Sequence, residues 1–181
     1  LEVQQKLSDE MLQRLMQIRM VRFANLEMRL NRAVQVTSQE ENKRVFLEIE
    51  NGDLEVDTLV IDALVEPLLH LLKNAVVHGI EPPETRRLLG KREKGRICVA
   101  VSMDADDLIL SVRDDGRGIS TTKLIEKAIA AGIIDEQTAL TLDEFSAQSL
   151  VFEKGLTTAE SLNLNAGRGI GMSIVKESVE A

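Results

Sequence analysis

Apolar residues recur at helical spacing in two long stretches of the chain. In residues 1–35 they stand three to five positions apart with charged residues between them, which predicts one long amphipathic helix. Such a helix packs on its own domain, contacts a second helix in a pair or dimer, or leads in from a preceding domain. The second stretch, Thr58 to Val77, predicts the strongest helix, and Pro67 can bend it by removing one backbone donor.

Shorter stretches have the composition of β-strands. "VFLEIE" (45–50) is one, and an Asn-Gly turn and a short extended piece through Val56 follow it. "GRICVAVSM" and "LILSVRD" are two more strands, joined by "DADD" in a hairpin. Further helices are predicted over 84–89, 121–131, 135–141 and 143–152, and a last helix follows "AGRGIG".

The order of these elements predicts the fold class. Because helices and mostly antiparallel strands are segregated rather than alternating, we expect an α+β fold, a two-layer sandwich in which helices cover a mixed sheet. A length of 181 residues suits one domain and an appendage. We therefore predict an N-terminal helical segment over 1–35 and one domain over 36–181.

Composition narrows the possible partners. A net charge of −8 opposes binding to nucleic acid or to an anionic membrane, and without Trp or Tyr the chain lacks platforms for stacking bases. A single cysteine, Cys98, excludes an intrachain disulfide and fits a reducing compartment. No apolar run approaches the ~20 residues of a membrane span, and no signal peptide is visible, so we expect a cytoplasmic protein. Since the chain starts on Leu1, we expect it to be an excerpt from a longer polypeptide.

Polar side chains recur every fourth residue along the strongest predicted helix: Asp62, Glu66, His70, Asn74 and His78. Each step of four drifts by about 40°, so neighbours share one helix face. Solvated faces favour Lys, Glu and Gln, whereas imidazoles and an amide in one line can ligate a metal or share protons. An amide oxygen suits Mg²⁺ beside waters and phosphate oxygens. The face is either a solvated surface or a magnesium-nucleotide site.

A glycine turn follows the last predicted strand in "SVRDDGRGIS". The carboxylate of Asp114, at the strand end, can accept a hydrogen bond from an exocyclic amine such as that of adenine. Gly116 and Gly118 would let a flat ligand approach the backbone. An ordinary Asp-Gly turn is the alternative.

A second glycine turn, in "NAGRGIGMSIVKES", places Gly167, Gly169 and Gly171 just before a helix. Unpaired N–H groups and the positive end of the helix dipole suit a phosphate there. A dinucleotide-binding motif is excluded, since no strand feeds the turn and no βαβ unit surrounds it.

Together, in this order, the three motifs resemble the Bergerat ATP-binding superfamily, which includes histidine kinases, gyrase-type topoisomerases, MutL and the Hsp90 chaperones. "EPLLHLLKNAVVHGIEPPETRRLLGK", "DDGRGIS", "GLTTAES" and "GRGIGMSIVK" are similar to the chemotaxis-type, CheA-like histidine kinases in particular. "LMQIRMVRF" resembles the segment that joins their dimerisation helices to the catalytic domain. The resemblance implies the Bergerat two-layer α/β sandwich.

For the helix, the resemblance implies that Asn74 coordinates Mg²⁺. His70 would act beside it, on the metal–phosphate end or as the base that activates the attacking imidazole, and Glu66 is a further candidate catalytic residue. His78 would lie near the phosphates or sugar of ATP. One departure is Val77, where these kinases commonly have Asp, and this could weaken nucleotide or metal contacts.

For the turns, the resemblance implies that Asp114 binds the adenine amine while Gly116 and Gly118 let the base approach. Lys123 and Lys127 would face phosphate. An ATP lid would span roughly residues 153–168. Its hinge and phosphate edge would comprise Gly167, Arg168, Gly169 and Gly171.

The resemblance also implies a reaction and partners. Water-attacking members have Glu at the position of His70, so we favour transfer of the γ-phosphate to a protein histidine. Because the chain's two histidines both lie in the site, the phosphoacceptor must be a separate domain or a partner subunit. A response regulator, a coupling protein and a receptor are further expected partners, and the full-length protein would be a homodimer. The alternatives are an ATP-hydrolysing conformational switch and a non-catalytic nucleotide-binding scaffold.

Overall fold

A computed structural model describes residues 19–105 and 107–153, together with six isolated positions: Gln5, Leu156, Met172, Val175, Lys176 and Val179. The chain divides into two compact units, Leu1–Gly116 and Arg117–Ala181. Each unit has its own hydrophobic cluster.

The first unit combines five strands with three α-helices in its described part. In chain order these are β1 (Met20–Arg22), a 3₁₀ turn (Phe23–Leu26), α1 (Glu27–Glu40), β2 (Val45–Glu50), β3 (Glu55–Asp57), α2 (Thr58–Asn74), a π-helical turn (Ala75–Gly79), α3 (Pro83–Leu88), β4 (Gly95–Asp104) and β5 (Asp107–Asp114). Central β4 pairs in parallel with β2 and antiparallel with β5, while β1 and β3 form a small antiparallel pair. The predicted α+β class with a mixed, mostly antiparallel sheet is confirmed.

The core of the first unit lies between the three-stranded sheet and the helices. Ile97, Val99 and Val101 alternate along β4 and are fully buried, because residues two apart in a strand face the same side. The helices contribute Leu30, Val34, Val65, Leu68 and Leu72 to the same cluster. This packing fixes α2, which carries the polar stripe, against the sheet whose β5 ends at Asp114.

The predicted continuous helix over residues 1–35 is wrong in its described part. Met20–Arg22 pairs with Glu55–Asp57 as a strand, and a 3₁₀ turn follows, so a continuous α-helix begins only at Glu27. Phe23 and Leu26 are buried in the core, so apolar residues here pack without a continuous helix. Most of the apolar positions behind the helix prediction, residues 11–18, lie outside the described residues. Local periodicity could not show a pairing with residues 35 positions away. A separate N-terminal segment over 1–35 stays a prediction, although α1 runs through residue 35 unbroken.

The second unit is helical in its described part. It comprises α4 (Thr121–Ala130), α5 (Glu136–Thr141), α6 (Glu144–Ser149) and a 3₁₀ turn (Leu150–Phe152). Leu124, Ala128, Leu150 and Leu156 form its buried cluster. Asp135 and Asp143 cap α5 and α6 by accepting hydrogen bonds from backbone N–H groups. Side-chain hydrogen bonds with Thr138 and Ser146, and then these backbone bonds, lower the pKa of the two carboxyls.

The remaining sequence predictions of elements agree closely with the structure. The predicted short helix, the hairpin strands and the three helices after residue 120 all exist within a residue or two of their expected bounds. Most of the last predicted helix lies outside the described residues, although its described positions, Met172, Val175, Lys176 and Val179, are helical. Among the described helices, none has the length and apolar character needed to cross a membrane.

Candidate nucleotide site

The polar stripe lies along α2 and grades from exposed to half-buried. Glu66 is exposed and its Oε1 accepts from Nη2 of Arg29 at 3.2 Å. His70 and Asn74, one and two turns further along, are half-buried. Asp57 starts this helix by accepting a hydrogen bond from the N–H of Leu59 at 2.8 Å. The predicted sharing of one face by these residues is thus consistent with regular α-helix as far as Asn74.

The pKa of His70 lies below its ordinary value of 6.5. Burial lowers it first, because desolvation disfavours the charged imidazolium, and the positive charge of Lys73 lowers it further. The ring is therefore neutral at pH 7. A neutral imidazole can accept a proton or ligate a metal, the two roles that the sequence suggested for this residue.

The sequence predicts a helix as far as Val77. In the structure the regular α-helix ends at Asn74, and a π-helical turn follows it. The N–H of Ile80 donates to the carbonyl of Ala75 at 2.8 Å, five residues back. Such turns insert a residue into the helical repeat, so His78 departs from the four-residue spacing that holds up to Asn74. His78 itself is exposed.

Lys43 holds this π-helical turn from outside the helix. Its Nζ donates to the carbonyls of Val76 at 2.8 Å and Val77 at 2.6 Å. Carbonyls at a helix end need such partners, because their intrahelical donors are missing. The sequence analysis missed Lys43, and no local pattern identified it, since 33 residues separate it from Val76.

Asp114 lies directly against the end of this turn. A β-carbon on Gly79 would come within 2.9 Å of Oδ1 of Asp114, and one on Gly116 would overlap the carbonyl of Gly79. Oδ1 of Asp114 also accepts from the N–H of Gly116 at 2.9 Å, which closes the Asp-Gly turn. The strand-end carboxylate and the helix with the polar stripe therefore meet, and glycines make the close approach possible.

A buried ionic network, which the sequence analysis also missed, lies next to this meeting point. It comprises Glu81, Arg86, Lys91 and Asp115. Arg86 and Glu81 are 0% and 3% exposed, whereas charged side chains are seldom buried without partners. The run "EPPETRRLLGK" contains three of these residues, but its charges gave no sign that two of them are buried.

The remaining predicted site residues fall in the second unit or outside the described residues. Gly118 has a backbone φ of +69°, which favours glycine, and Lys123 and Lys127 lie on an exposed face of α4. Their approach to a phosphate stays a prediction, as does the contribution of four residues outside the described part: Gly167, Arg168, Gly169 and Gly171.

No group of three or more His, Cys, Asp or Glu side chains in the described part of the chain could hold a metal ion. Mg²⁺ often binds through one or two protein ligands and completes its shell with phosphate oxygens and water. The amide oxygen of Asn74 suits that mode, whereas the ring nitrogen of His70 is a softer ligand than the oxygens that Mg²⁺ prefers.

Sequence comparison gives a family match. The model described as histidine kinase-, DNA gyrase B- and HSP90-like ATPase matches residues 60–181, which include α2, the Asp114 turn and the second glycine turn. The whole described site, apart from Lys43, falls within that range.

Individual relatives are similar over most of this chain. The chemotaxis protein CheA of Bacillus subtilis (strain 168) is 34% identical over 97% of it, and a gliding motility regulatory protein of Myxococcus xanthus is 42% identical over 82%. The sensor histidine kinase CheAY of Helicobacter pylori (strain ATCC 700392 / 26695) is 36% identical over 82%. The aligned part covers 26%, 19% and 19% of these three relatives, so the chain spans about a quarter of their length or less.

Proposed function

This chain belongs to the family of histidine kinase-, DNA gyrase B- and HSP90-like ATPases, and we propose that it is the ATP-binding catalytic domain of a CheA-like histidine kinase. The domain would transfer the γ-phosphate of ATP to a histidine on a separate phosphoacceptor domain, for onward transfer to a response regulator. The observation that carries the proposal is the contact between the Asp114 carboxylate and Gly79, at the end of the helix that carries His70 and Asn74.

Asp114 would bind the base. A carboxylate has two oxygens, so Oδ1 can hold the N–H of Gly116 while the other oxygen accepts from the amine of adenine. The strand end and its glycine turn would then present the base to the polar face of α2. His78, exposed beside Gly79, would lie near the sugar or the phosphates.

Asn74 and His70 would serve the phosphate end. Asn74 would offer its amide oxygen to Mg²⁺, with His70 as a second ligand or as the base that takes the proton of the attacking imidazole. The lowered pKa of His70 supports both roles, since each needs a neutral ring at pH 7. Bound Mg²⁺ would neutralise charge on the transferring phosphoryl group. Glu66, paired with Arg29, would lie too far along the helix to touch the metal and would act through its charge.

Cationic and glycine-rich groups elsewhere in the chain are further candidates for binding phosphate. Lys123 and Lys127 lie four residues apart on α4, so both ammonium groups can face the same anion. Gly116 and Gly118 would let the base approach. The edge of the lid would use the N–H groups of a helix start: Gly167, Arg168, Gly169 and Gly171.

Phosphoryl transfer needs mainly positioning and charge neutralisation, which these groups would supply. We further propose that the full-length protein is a cytoplasmic homodimer that works with a response regulator, a coupling protein and a receptor. The names of two relatives, chemotaxis protein CheA and sensor histidine kinase CheAY, support the proposed histidine kinase activity in chemotaxis signalling.

Mixing this chain with a phosphoacceptor domain and γ-labelled ATP tests the proposal. We expect label on the acceptor histidine, no label on this chain, and loss of labelling when the acceptor histidine is replaced by glutamine. Release of phosphate to water without acceptor labelling would instead identify an ATP-hydrolysing switch. Nucleotide binding with no turnover would identify a non-catalytic scaffold.

A further inference from the structure

Arg86 is the centre of the buried ionic network beside the Asp114 turn. Its side chain is 1% exposed, yet every nitrogen of the guanidinium has a partner. Nη1 donates to Oε2 of Glu81 at 3.0 Å and to the carbonyl of Asp115 at 3.2 Å, and Nη2 donates to Oδ2 of Asp115 at 2.7 Å. Nε donates to the carbonyl of Arg92 at 2.6 Å. Four hydrogen bonds therefore hold the buried cation, with at least one from each nitrogen.

Lys91 connects the network to the turn backbone. Its Nζ donates to Oε1 of Glu81 at 2.8 Å, to the carbonyl of Asp115 at 3.1 Å and to the carbonyl of Gly116 at 2.8 Å. Two of its three bonds thus hold the residues that directly follow Asp114. Burial raises the pKa of Glu81, but the bonds from Lys91, from the backbone and from Arg86 together bring it below its ordinary value, so Glu81 is ionised at pH 7.

Asp115 joins the network to the sheet. Its Oδ1 accepts from the N–H of Arg96 at 3.0 Å, and its own N–H donates to the carbonyl of Arg96 at 3.1 Å. Glu81 lies two residues after Gly79, the residue that contacts Asp114. The network therefore connects the end of the π-helical turn, the start of β4 and the Asp114 turn.

Such a cluster is costly to bury, so its location is informative. Breaking a buried ion pair is destabilising, but the pair as a whole often contributes little net stability compared with apolar packing, and in some proteins it fixes one conformation instead. Here the ammonium group of Lys91 donates to the carbonyls of Asp115 and Gly116, the two residues that follow Asp114. We propose that Glu81, Arg86, Lys91 and Asp115 are positioning residues that aim the Asp114 carboxylate at a donor on a bound base, and so set selectivity for a 6-aminopurine.

This inference rests on the proposed nucleotide site and adds a source of base selectivity to it. The test compares the binding of ADP with that of purine riboside 5′-diphosphate, which lacks only the 6-amino group. Isothermal titration calorimetry gives the ratio of the two dissociation constants. We expect wild-type protein to favour ADP by about tenfold or more, the range for a hydrogen bond to a charged group.

Lys91→Met removes the ammonium that holds both carbonyls while keeping the side-chain length. We expect the preference for ADP to fall toward unity, because the carboxylate is no longer aimed at the amine. Asp115→Asn keeps the shape and the oxygen that accepts from Arg96 but removes the ionic partner of Arg86, and we expect the same direction of change. Lys94→Met is the matched control, since it removes one charge from a nearby lysine whose Nζ lies 5.5 Å from the Phe46 ring centroid.

The outcomes separate this inference from the proposed function. A lowered preference in Lys91→Met and Asp115→Asn, with Lys94→Met unchanged, supports the positioning role. If both variants bind the two ligands more weakly but in the wild-type ratio, the network serves stability alone and the inference is overturned. If wild-type protein binds neither diphosphate, the proposed function fails and the inference fails with it.

Discussion

His70 shows how one residue's surroundings set its chemistry. Burial and the charge of Lys73 both lower the pKa of the ring, so its neutral form persists to a pH below 6.5. The proposed roles as base or ligand need that neutral form. The folded protein thus keeps the imidazole in the neutral form that the proposed phosphoryl transfer needs.

The shift at His70 predicts the pH dependence of phosphotransfer. The rate should hold as the pH falls to 6.5 and drop only as the pH passes through the lowered pKa of His70. Lys73→Met removes the smaller of the two causes, so the acid limb of the rate profile should move to higher pH. Rates of acceptor labelling across the range from about pH 5 to about pH 8 show whether the acid limb moves. An unmoved limb in Lys73→Met would remove His70 from the catalytic step.

Gly79 lacks a side chain, and this lets the Asp114 carboxylate lie close to it. In Gly79→Ala the new methyl group would come within 2.9 Å of Oδ1 of Asp114, so the carboxylate must move. We predict at least about a tenfold loss of ADP affinity, the worth of one charged hydrogen bond. Calorimetric titration gives the change directly.

Gly132→Ala is the matched control for that substitution. Gly132 has a φ of +70° and nothing within 4 Å of an added β-carbon, so alanine there costs about 1 kcal/mol of backbone strain without touching the site. Its ADP affinity should equal that of the wild type. Equal affinity in Gly79→Ala as well would show that the Asp114 carboxylate does not contact the base.

At the scale of elements, the π-helical turn separates the regular part of α2 from the Asp114 contact. The turn Ala75–Gly79 places Gly79 against the strand-end turn, and Lys43 donates to two of its carbonyls. Turns of this kind are frequent at functional sites, because the inserted residue re-aims the side chains that follow. A residue from the loop before β2 thus supports the end of this helix.

Lys43→Met should loosen this turn. Two carbonyls lose a charged donor, so we predict a fall of about 1–3 kcal/mol in the free energy of unfolding, measured by urea denaturation. Arg44→Met, at the neighbouring position, removes only an exposed ion pair with Glu93 and should change stability by less than about 1 kcal/mol. A Lys43 variant as stable as the Arg44 variant would mean that the turn does not need this support.

The sequence predicted most elements, because their signals are local. Helical periodicity identified α2, and the alternation before and after "DADD" identified the β4–β5 hairpin. The prediction of a helix failed for Met20–Leu26, because the strand and the 3₁₀ turn of this segment depend on pairing with β3. The parallel pairing of β2 with β4 likewise depends on residues about fifty positions apart.

Some residues of the candidate site could be predicted from local sequence patterns, and others could not. Asn74, His70 and Asp114 could be chosen from the sequence because a polar residue in an apolar helix, or at a strand end, stands out. Lys43 and the Arg86 network could not, because charged residues outside such patterns are normally solvated, and only tertiary packing shows which of them are buried.

At the scale of the whole molecule, the chain forms two compact units, each with its own apolar cluster. The first holds the polar stripe of α2 and Asp114. The second holds Lys123 and Lys127. The named relatives are about four or five times longer than the aligned part.

We propose that α2 and the Asp114 turn together bind a magnesium nucleotide. Calorimetric titration of a non-hydrolysable ATP analogue, with and without Mg²⁺, on wild-type protein and on Asn74→Ala measures the metal-dependent part of this binding. We predict that Mg²⁺ strengthens binding to the wild type and that this gain disappears in Asn74→Ala, because the side-chain oxygen that would hold the metal is gone. The same Mg²⁺-dependent gain in both proteins would show that Asn74 does not hold the metal.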